Sequence, residues 1–392
     1  MINRAVHRVA KPAFTAISLL IVTTTSALSA AQSACPASVT YPSVEWPSRA
    51  TEVAAQRATE IAALEQYAFT LTGEDDERRG IRTDAVLIIH RGQLVYERYA
   101  RSWTADQPHY AWSMTKSLMN TLTGVAVGRG YLSIDDSICR WMPYLPMSQC
   151  AVKIQNTLEF STGFNWRETY ENASNQESSV LAMLYGVGSA DAASFVARHP
   201  LRDAPGTTYM YSSGDTNVLS RAVDRAYTAA GEDADYPWRH VFEPLGITSA
   251  TLERDATGTP VGSSWWYATP RDFARFGYFL LRDGCWNNQR ILPDGWVAAS
   301  TAVNPAIRMR RLDADADDVQ GRQFWLNKPI PEQNVTTPWP GVPEDTFAAR
   351  GHWGQSITVV PSRDVVIVRM ADDRERVFEF ARFINLALEV AR

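Results

Sequence analysis

The chain has 392 residues, 45% of them hydrophobic and 11% aromatic, enough to bury a large core in one big domain or two intertwined ones. A formal net charge of -5 and the lack of any Lys/Arg-rich run leave no basic field for a phosphate backbone, so nucleic acid is excluded as an expected partner. No His/Cys cluster has zinc spacing and no glycine pattern follows a strand as a nucleotide-binding loop does, so neither metal nor cofactor is expected.

At the N-terminus, Arg4, His7, Arg8 and Lys11 precede the apolar stretch AFTAISLLIVTTTSAL, and the small residues SAAQSA follow. That order predicts a secretory signal over residues 1–31 and a periplasmic or secreted mature chain. No other stretch approaches the roughly 20 apolar residues that a spanning helix needs. Cys35 allows a lipid anchor, but Gln32 stands where an aliphatic residue normally precedes such a cysteine. Export permits disulfides. Cys139 and Cys150 flank RWMPYLPMSQ and are the expected pair, a short closed loop contributing about 2 to 3 kcal/mol. Cys35 and Cys285 are left for a second bridge, whose geometry one sequence leaves open.

Thr51 to Phe69 has helical apolar spacing, and DAVLIIHRGQLVYERYA then reads as two strands around a turn at Arg91-Gly92. A helix is expected from about Ser113, with Met114, Leu118, Leu122 and Val125 on its apolar face and Ser113, Lys116, Ser117 and Asn120 on a polar stripe. From about Arg129 to Ser249 the pattern is helices and loops. Strand signal returns with SATLERDATG, followed by a helix from Arg271 to Arg282 and a turn at Asn287-Asn288. SITVVP and DVVIVRM are the last strands, and Val377, Phe380, Ala381, Ile384 and Leu388 give a closing amphipathic helix. The expected class is α/β (α+β): an antiparallel sheet flanked by helices, built from residues 45–128 and 250–392, with a mostly helical inserted domain at 129–249.

Only four lysines occur among 38 Lys/Arg residues, and one of them, Lys116, sits three residues after Ser113 in an apolar helix. Arginine keeps its proton in a protein, whereas lysine can lose it. Residues three apart share a helix face, so a neutral Lys116 amine can take the Ser113 proton and make a nucleophile. The plain alternative, a helix cap followed by a solvated first-turn charge, fits poorly with the aromatic lead-in HYAW and the scarcity of lysine. A helix N-terminus also offers a positive dipole end, which favours an oxyanion and disfavours a charged lysine.

SMTK together with YSS at Tyr211 to Ser213 and RGHWGQ at Arg350 to Gln355 resembles the three-motif pattern of serine hydrolases related to class C β-lactamases, nearest to the 6-aminohexanoate-dimer hydrolase type and family VIII esterases. The likeness runs from about Ala85 to Met370 and includes YATPRDFARFGYFLLRDG and RILPDGWV. It implies a β-lactamase/transpeptidase-like fold with Ser113 as nucleophile, Lys116 as its partner and Tyr211 as proton relay to the leaving group. It also implies an oxyanion hole from the backbone N–H groups of Ser113 and His352, with Tyr170, Gly351 and Trp353 contacting substrate. The third motif has two registers, Ala349-Arg350-Gly351 or His352-Trp353-Gly354, and the short run from Gly354 to Pro361 favours the first. Ser213 stands in place of the asparagine of Tyr-x-Asn, and no lysine precedes either candidate glycine, so efficient β-lactam turnover is not expected.

The expected function is that of an exported serine hydrolase cleaving a small-molecule amide or ester through an acyl-enzyme on Ser113. The alternatives are a family VIII-type carboxylesterase and a slow penicillin-binding or sensor module. Oligomeric state and natural substrate are not legible in the sequence.

Overall fold

The computed structural model describes Met1 and residues 34–36, 39–171, 173–310, 319–375 and 377–392. The expected export signal at 1–31 therefore lies, apart from Met1, outside the described residues.

DAVLIIH and DVVIVRM are nearly continuous apolar runs, the pattern of strands covered on both faces. They become neighbours: Thr83–His90 pairs antiparallel with Gln93–Tyr99 on one side and Val365–Ala371 on the other. Gln355–Val360, Phe347–Gly351, Trp325–Leu326 and Val319–Gln320 extend the sheet to seven strands in that order. Arg91 and Gly92 turn the first hairpin with φ of 51° and 76°, as a two-residue hairpin loop requires.

Alternate residues of the central strands feed two cores. Leu87, Ile89, Ile357, Val366 and Val368 face the larger one, shared with the helices Thr115–Gly128 and Pro270–Leu281. Val86, Ile88, Val365 and Ile367 face the other, closed by Ala58–Phe69 and Phe380–Val390. Burying each such side chain fully is worth about 1.5 to 3 kcal/mol, so the sheet is held from both faces. Gly277 shows how tightly one helix lies on it: a Cβ there would stand 2.6 Å from Ile357 and Val366 side-chain carbons.

Three expectations need correction. The helix expected over Thr51 to Phe69 is two, Ala50–Gln56 and Ala58–Phe69, because Arg57 leaves helical dihedrals (φ -126°, ψ 31°) and sends its guanidinium to Glu60 and the Arg392 carbonyl. The strand in SATLERDATG is only Thr251–Leu252, since Asp255 accepts from the Thr257 and Thr259 N–H groups and curls the chain. Ser113 lies on a 3-10 turn, Trp112–Met114, and the α-helix begins at Thr115.

Between 129 and 249 the described residues form helices and loops with isolated bridges only. Cys139–Cys150 and Cys35–Cys285 are both bonded, and the second bridge engages the sulfur that a lipid anchor on Cys35 would need. Among the described residues no helix is long and apolar enough to cross a membrane.

Candidate active site

The turn carrying Ser113 is forced by its neighbours. Ala111 donates its N–H to the Trp266 carbonyl at 2.8 Å, and Thr115 Oγ1 donates to the Trp112 carbonyl at 2.7 Å while accepting from the Trp266 N–H at 3.2 Å. Between these ties Trp112 takes a φ of 47°, a left-handed conformation that a bulky side chain adopts only when its surroundings over-determine it. Its ring meets Tyr110, His352 and Trp353 at centroid distances of 5.8, 5.9 and 5.4 Å. The result is a sharp corner that presents Ser113 at the mouth of the Thr115–Gly128 helix.

Lys116 is 2% exposed, and its Nζ reaches Ser113 Oγ at 2.9 Å, Ser213 Oγ at 2.9 Å and the Ser263 carbonyl at 3.0 Å. A charged ammonium would spend one N–H on each oxygen. A neutral amine has two N–H groups, enough for Ser213 and Ser263, and its lone pair then faces the Ser113 O–H. Burial lowers the Lys116 pKa from 10.5 to about 8, against the upward pull of the Glu168 carboxylate. Both states are therefore accessible near neutral pH, as proton exchange with a serine requires.

Tyr211 lies beneath this amine, its ring centroid 5.0 Å from Nζ, wedged between Phe160 and Trp325. Tyr209, two residues earlier, points into the core instead and is fully buried. Ser213 opens the helix Ser213–Ala229, whose N-cap Ser212 accepts from the Asp215 N–H. Asp215 in turn accepts from the Thr162 and Ser212 hydroxyls, and burial pushes its carboxyl up to about 7. These bonds fix the helix start and with it the Tyr211–Ser213 segment.

Glu168 ties this cluster together. Its Oε1 accepts from Ser213 Oγ and from Tyr170 Oη, each at 2.5 Å, and its Oε2 accepts from the Ser213 N–H at 3.0 Å and Trp166 Nε1 at 2.5 Å. Tyr170 Oη also lies 3.0 Å from Ser213 Oγ. Burial, with the neighbouring Glu168 and Tyr211, raises the Tyr170 phenol well above its usual range, so it stays a neutral hydrogen-bond donor. The sequence reading missed Glu168, because two positions before Tyr170 in a loop it looks like any surface carboxylate. It also missed the Ser263 carbonyl, for which a sequence carries no signal.

The opposite lip comes from the sheet. The strand Phe347–Gly351 ends at Gly351, and a Cβ there would sit 2.2 Å from the Ala111 carbonyl oxygen, so only glycine lets the strand close on the Ser113 turn. His352 follows immediately, its ring 5.1 Å from Tyr170 and its Nε2 3.1 Å from Glu171. Trp353 packs on Trp112, with the Arg374 guanidinium 3.1 Å over its ring. Contacts thus run from Ser113 to Lys116, from Lys116 to Tyr211 and Ser213, from Ser213 to Tyr170 and from Tyr170 to His352, while Gly351 meets the Ala111 carbonyl. Trp166 and Trp266 are core residues at 2% and 0% exposure.

The sequence model of the family described as Beta-lactamase matches residues 63–391. A 6-aminohexanoate-dimer hydrolase of Paenarthrobacter ureafaciens is 24% identical over 325 residues, covering 80% of this chain and 79% of that protein. A solved penicillin-binding protein homologue from Caulobacter crescentus aligns with a TM-score of 0.62 at 14% identity, over 85% of this chain and 95% of that one. A family VIII carboxylesterase aligns with a TM-score of 0.61 at 15% identity, over 85% and 96%. At such identities the structural likeness is one of fold, and the sheet with helices on both faces is the architecture they share. Taken with the match across nearly the whole described chain, it follows that this protein belongs to the β-lactamase family of hydrolases.

Proposed function

We propose that this chain is an exported serine hydrolase that cleaves a small amide or ester through an acyl-enzyme on Ser113, an amidase of the 6-aminohexanoate-dimer hydrolase kind. The observation that carries the reading is the buried Lys116 amine 2.9 Å from Ser113 Oγ, with a pKa lowered to about 8. In the proposed reaction Ser113 Oγ attacks the substrate carbonyl and passes its proton to Lys116 Nζ. The backbone N–H groups of Ser113 and His352 hold the oxyanion, a role supported by the close approach of Gly351 to the Ala111 carbonyl. Tyr211 hands a proton to the leaving group, supported by its position under Lys116. Water then attacks the acyl-enzyme and frees Ser113. Tyr170, Gly351 and Trp353 contact substrate in this reading. Residues 129–249 act as an inserted helical domain that supplies Glu168, Tyr170, Tyr211 and Ser213 to the nucleophile of the sheet domain.

Export is supported by the two disulfides, which persist in oxidising compartments. A second reading, a carboxylesterase, is favoured by Ser213: where a lactamase has an amide side chain, this site has a small hydroxyl committed to Glu168. A panel of para-nitrophenyl esters, linear aminoacyl amides and nitrocefin ranks the two. Amide turnover with poor nitrocefin hydrolysis is expected. Ester turnover without any amide hydrolysis would establish the esterase, and failure of a fluorophosphonate to label Ser113 would leave only a slow binding module.

A further inference from the structure

Beside the nucleophile turn lies a small second sheet, in which Trp266–Ala268 runs between His109–Tyr110 and Thr251–Leu252. Successive side chains of a strand point to opposite faces. Trp266 and Ala268 take the inner face, fully buried, while Tyr110, 49% exposed, stands opposite Tyr267 on the outer one. We propose that this outer aromatic face, continued by Trp112, Trp265 and Tyr185, is the subsite for an extended apolar acyl chain, which makes the substrates amides or esters of medium- to long-chain acids.

The face is joined to the reacting groups at both ends. Tyr110 stacks on Trp112 at 5.8 Å with the ring planes 20° apart, and Trp112 directly precedes Ser113. Trp265 follows closely on Ser263, whose carbonyl accepts from Lys116 Nζ. Between these ends Tyr110 meets Tyr267 at 5.2 Å, and Tyr185 meets Trp265 at 6.2 Å. A cross-strand pair is an ordinary way to stabilise a sheet, and it accounts for Tyr110 and Tyr267 alone. Tyr185 is outside the sheet: it ends the helix Ser179–Tyr185, is 55% exposed, and lies near enough for its phenol to push on that of Tyr267. Large rings from separate stretches of chain, gathered in the open next to a nucleophile, mark a surface that an apolar group covers.

Two features select an acyl chain as the occupant. The Tyr267 hydroxyl is hydrogen-bonded to Glu253, so what this residue presents is its ring. Tyr211, the proposed proton donor to the leaving group, is wedged into a separate set of rings, Phe160 and Trp325. The leaving group is therefore assigned to the Tyr211 side and the acyl chain to the aromatic face. Such a face holds a methylene chain by area alone, and each methylene taken fully out of water is worth up to about fourfold in binding.

The inference rests on the proposed hydrolysis, so two measurements keep the two apart. In the first, para-nitrophenyl acetate, butyrate and octanoate share one leaving group, and kcat/KM should rise by about tenfold or more from acetate to octanoate. Tyr185→Ala and Tyr267→Ala should each cut the octanoate-to-acetate ratio by about threefold or more. The ratio is taken within one protein, so a loss of folded enzyme cancels from it. In the second, N-methyloctanamide and N-methylacetamide are titrated against the Ser113→Ala protein by tryptophan fluorescence, and only the octanamide should give a saturable change. Acetate turnover with a ratio near one, or a ratio unchanged in both variants, would overturn the aromatic face and leave the hydrolase standing. No turnover of any ester would overturn the hydrolase reading instead. In that case, or if the tyrosine variants fail to fold by circular dichroism, the titration decides: octanamide binding no tighter than acetamide overturns the face.

Discussion

Glu168 and Lys116 act on the same hydroxyl: Ser213 Oγ donates to Glu168 Oε1 at 2.5 Å and accepts from Lys116 Nζ at 2.9 Å. The carboxylate therefore steadies the charged form of the amine through one intervening group, against the burial that lowers its pKa to about 8. In the proposed reaction the deprotonated amine is the base, so kcat/KM should rise with pH through about 8 and level off above it. Glu168→Gln removes the opposing charge, so the amine loses its proton more readily and the acid limb should move to lower pH. A pH–rate profile in which the limb stays put or moves upward would contradict this coupling.

Tyr211→Phe keeps the ring under Lys116 and removes only the hydroxyl. Amide hydrolysis should fall by about 10² or more, because an amine must be protonated as it leaves, while activated esters should lose much less. Parallel kcat measurements on an anilide and its para-nitrophenyl ester check the split. Equal losses on both substrates would remove the relay role.

Gly351→Ala places a Cβ 2.2 Å from the Ala111 carbonyl, a backbone atom that no rotamer change can relieve. The strand end must retreat from the Ser113 turn, and kcat should fall by about 10² as the proposed oxyanion donors separate. Activity near wild type in a folded Gly351→Ala protein would mean that the close approach does not serve the reaction.

The pairing of Ser113 with Lys116 was legible because helical spacing alone brings residues three apart onto one face, and the structure holds the two side chains at 2.9 Å. The central hairpin and the last two strands were legible because they are long and apolar. Glu168 was not, since its environment is made by Ser213 and Trp166, 45 residues later and 2 residues earlier in the chain, and only the folded loop brings them together. Trp112 was quoted as part of an aromatic lead-in, yet its left-handed backbone is imposed by bonds to Thr115 and by the residues around Trp266. The short edge strands Val319–Gln320 and Trp325–Leu326 carry too few residues for any periodicity to register.

The two disulfides close loops of very different size, with sequence separations of 250 for Cys35–Cys285 and 11 for Cys139–Cys150. Chain entropy assigns them about 5 and about 3 kcal/mol. Denaturant melts of Cys35→Ser/Cys285→Ser and Cys139→Ser/Cys150→Ser proteins should show the larger loss in the first. The reverse order would mean that the Cys139–Cys150 loop stabilises the native state by more than loop closure.

Replacing Lys116 by arginine separates a base from a mere charge. Arginine preserves the positive group and much of the stem but cannot give up its proton near neutral pH. Burst-phase acylation by a para-nitrophenyl ester, with peptide mapping of the acylated residue and circular dichroism for the fold, reads the difference. The wild-type protein should acylate on Ser113 with a rate that rises through about pH 8, and folded Lys116→Arg should be nearly silent at every pH. A folded Lys116→Arg protein that acylates Ser113 within about tenfold of wild type, a barrier change of only about 1.4 kcal/mol, would show that Lys116 is not the base.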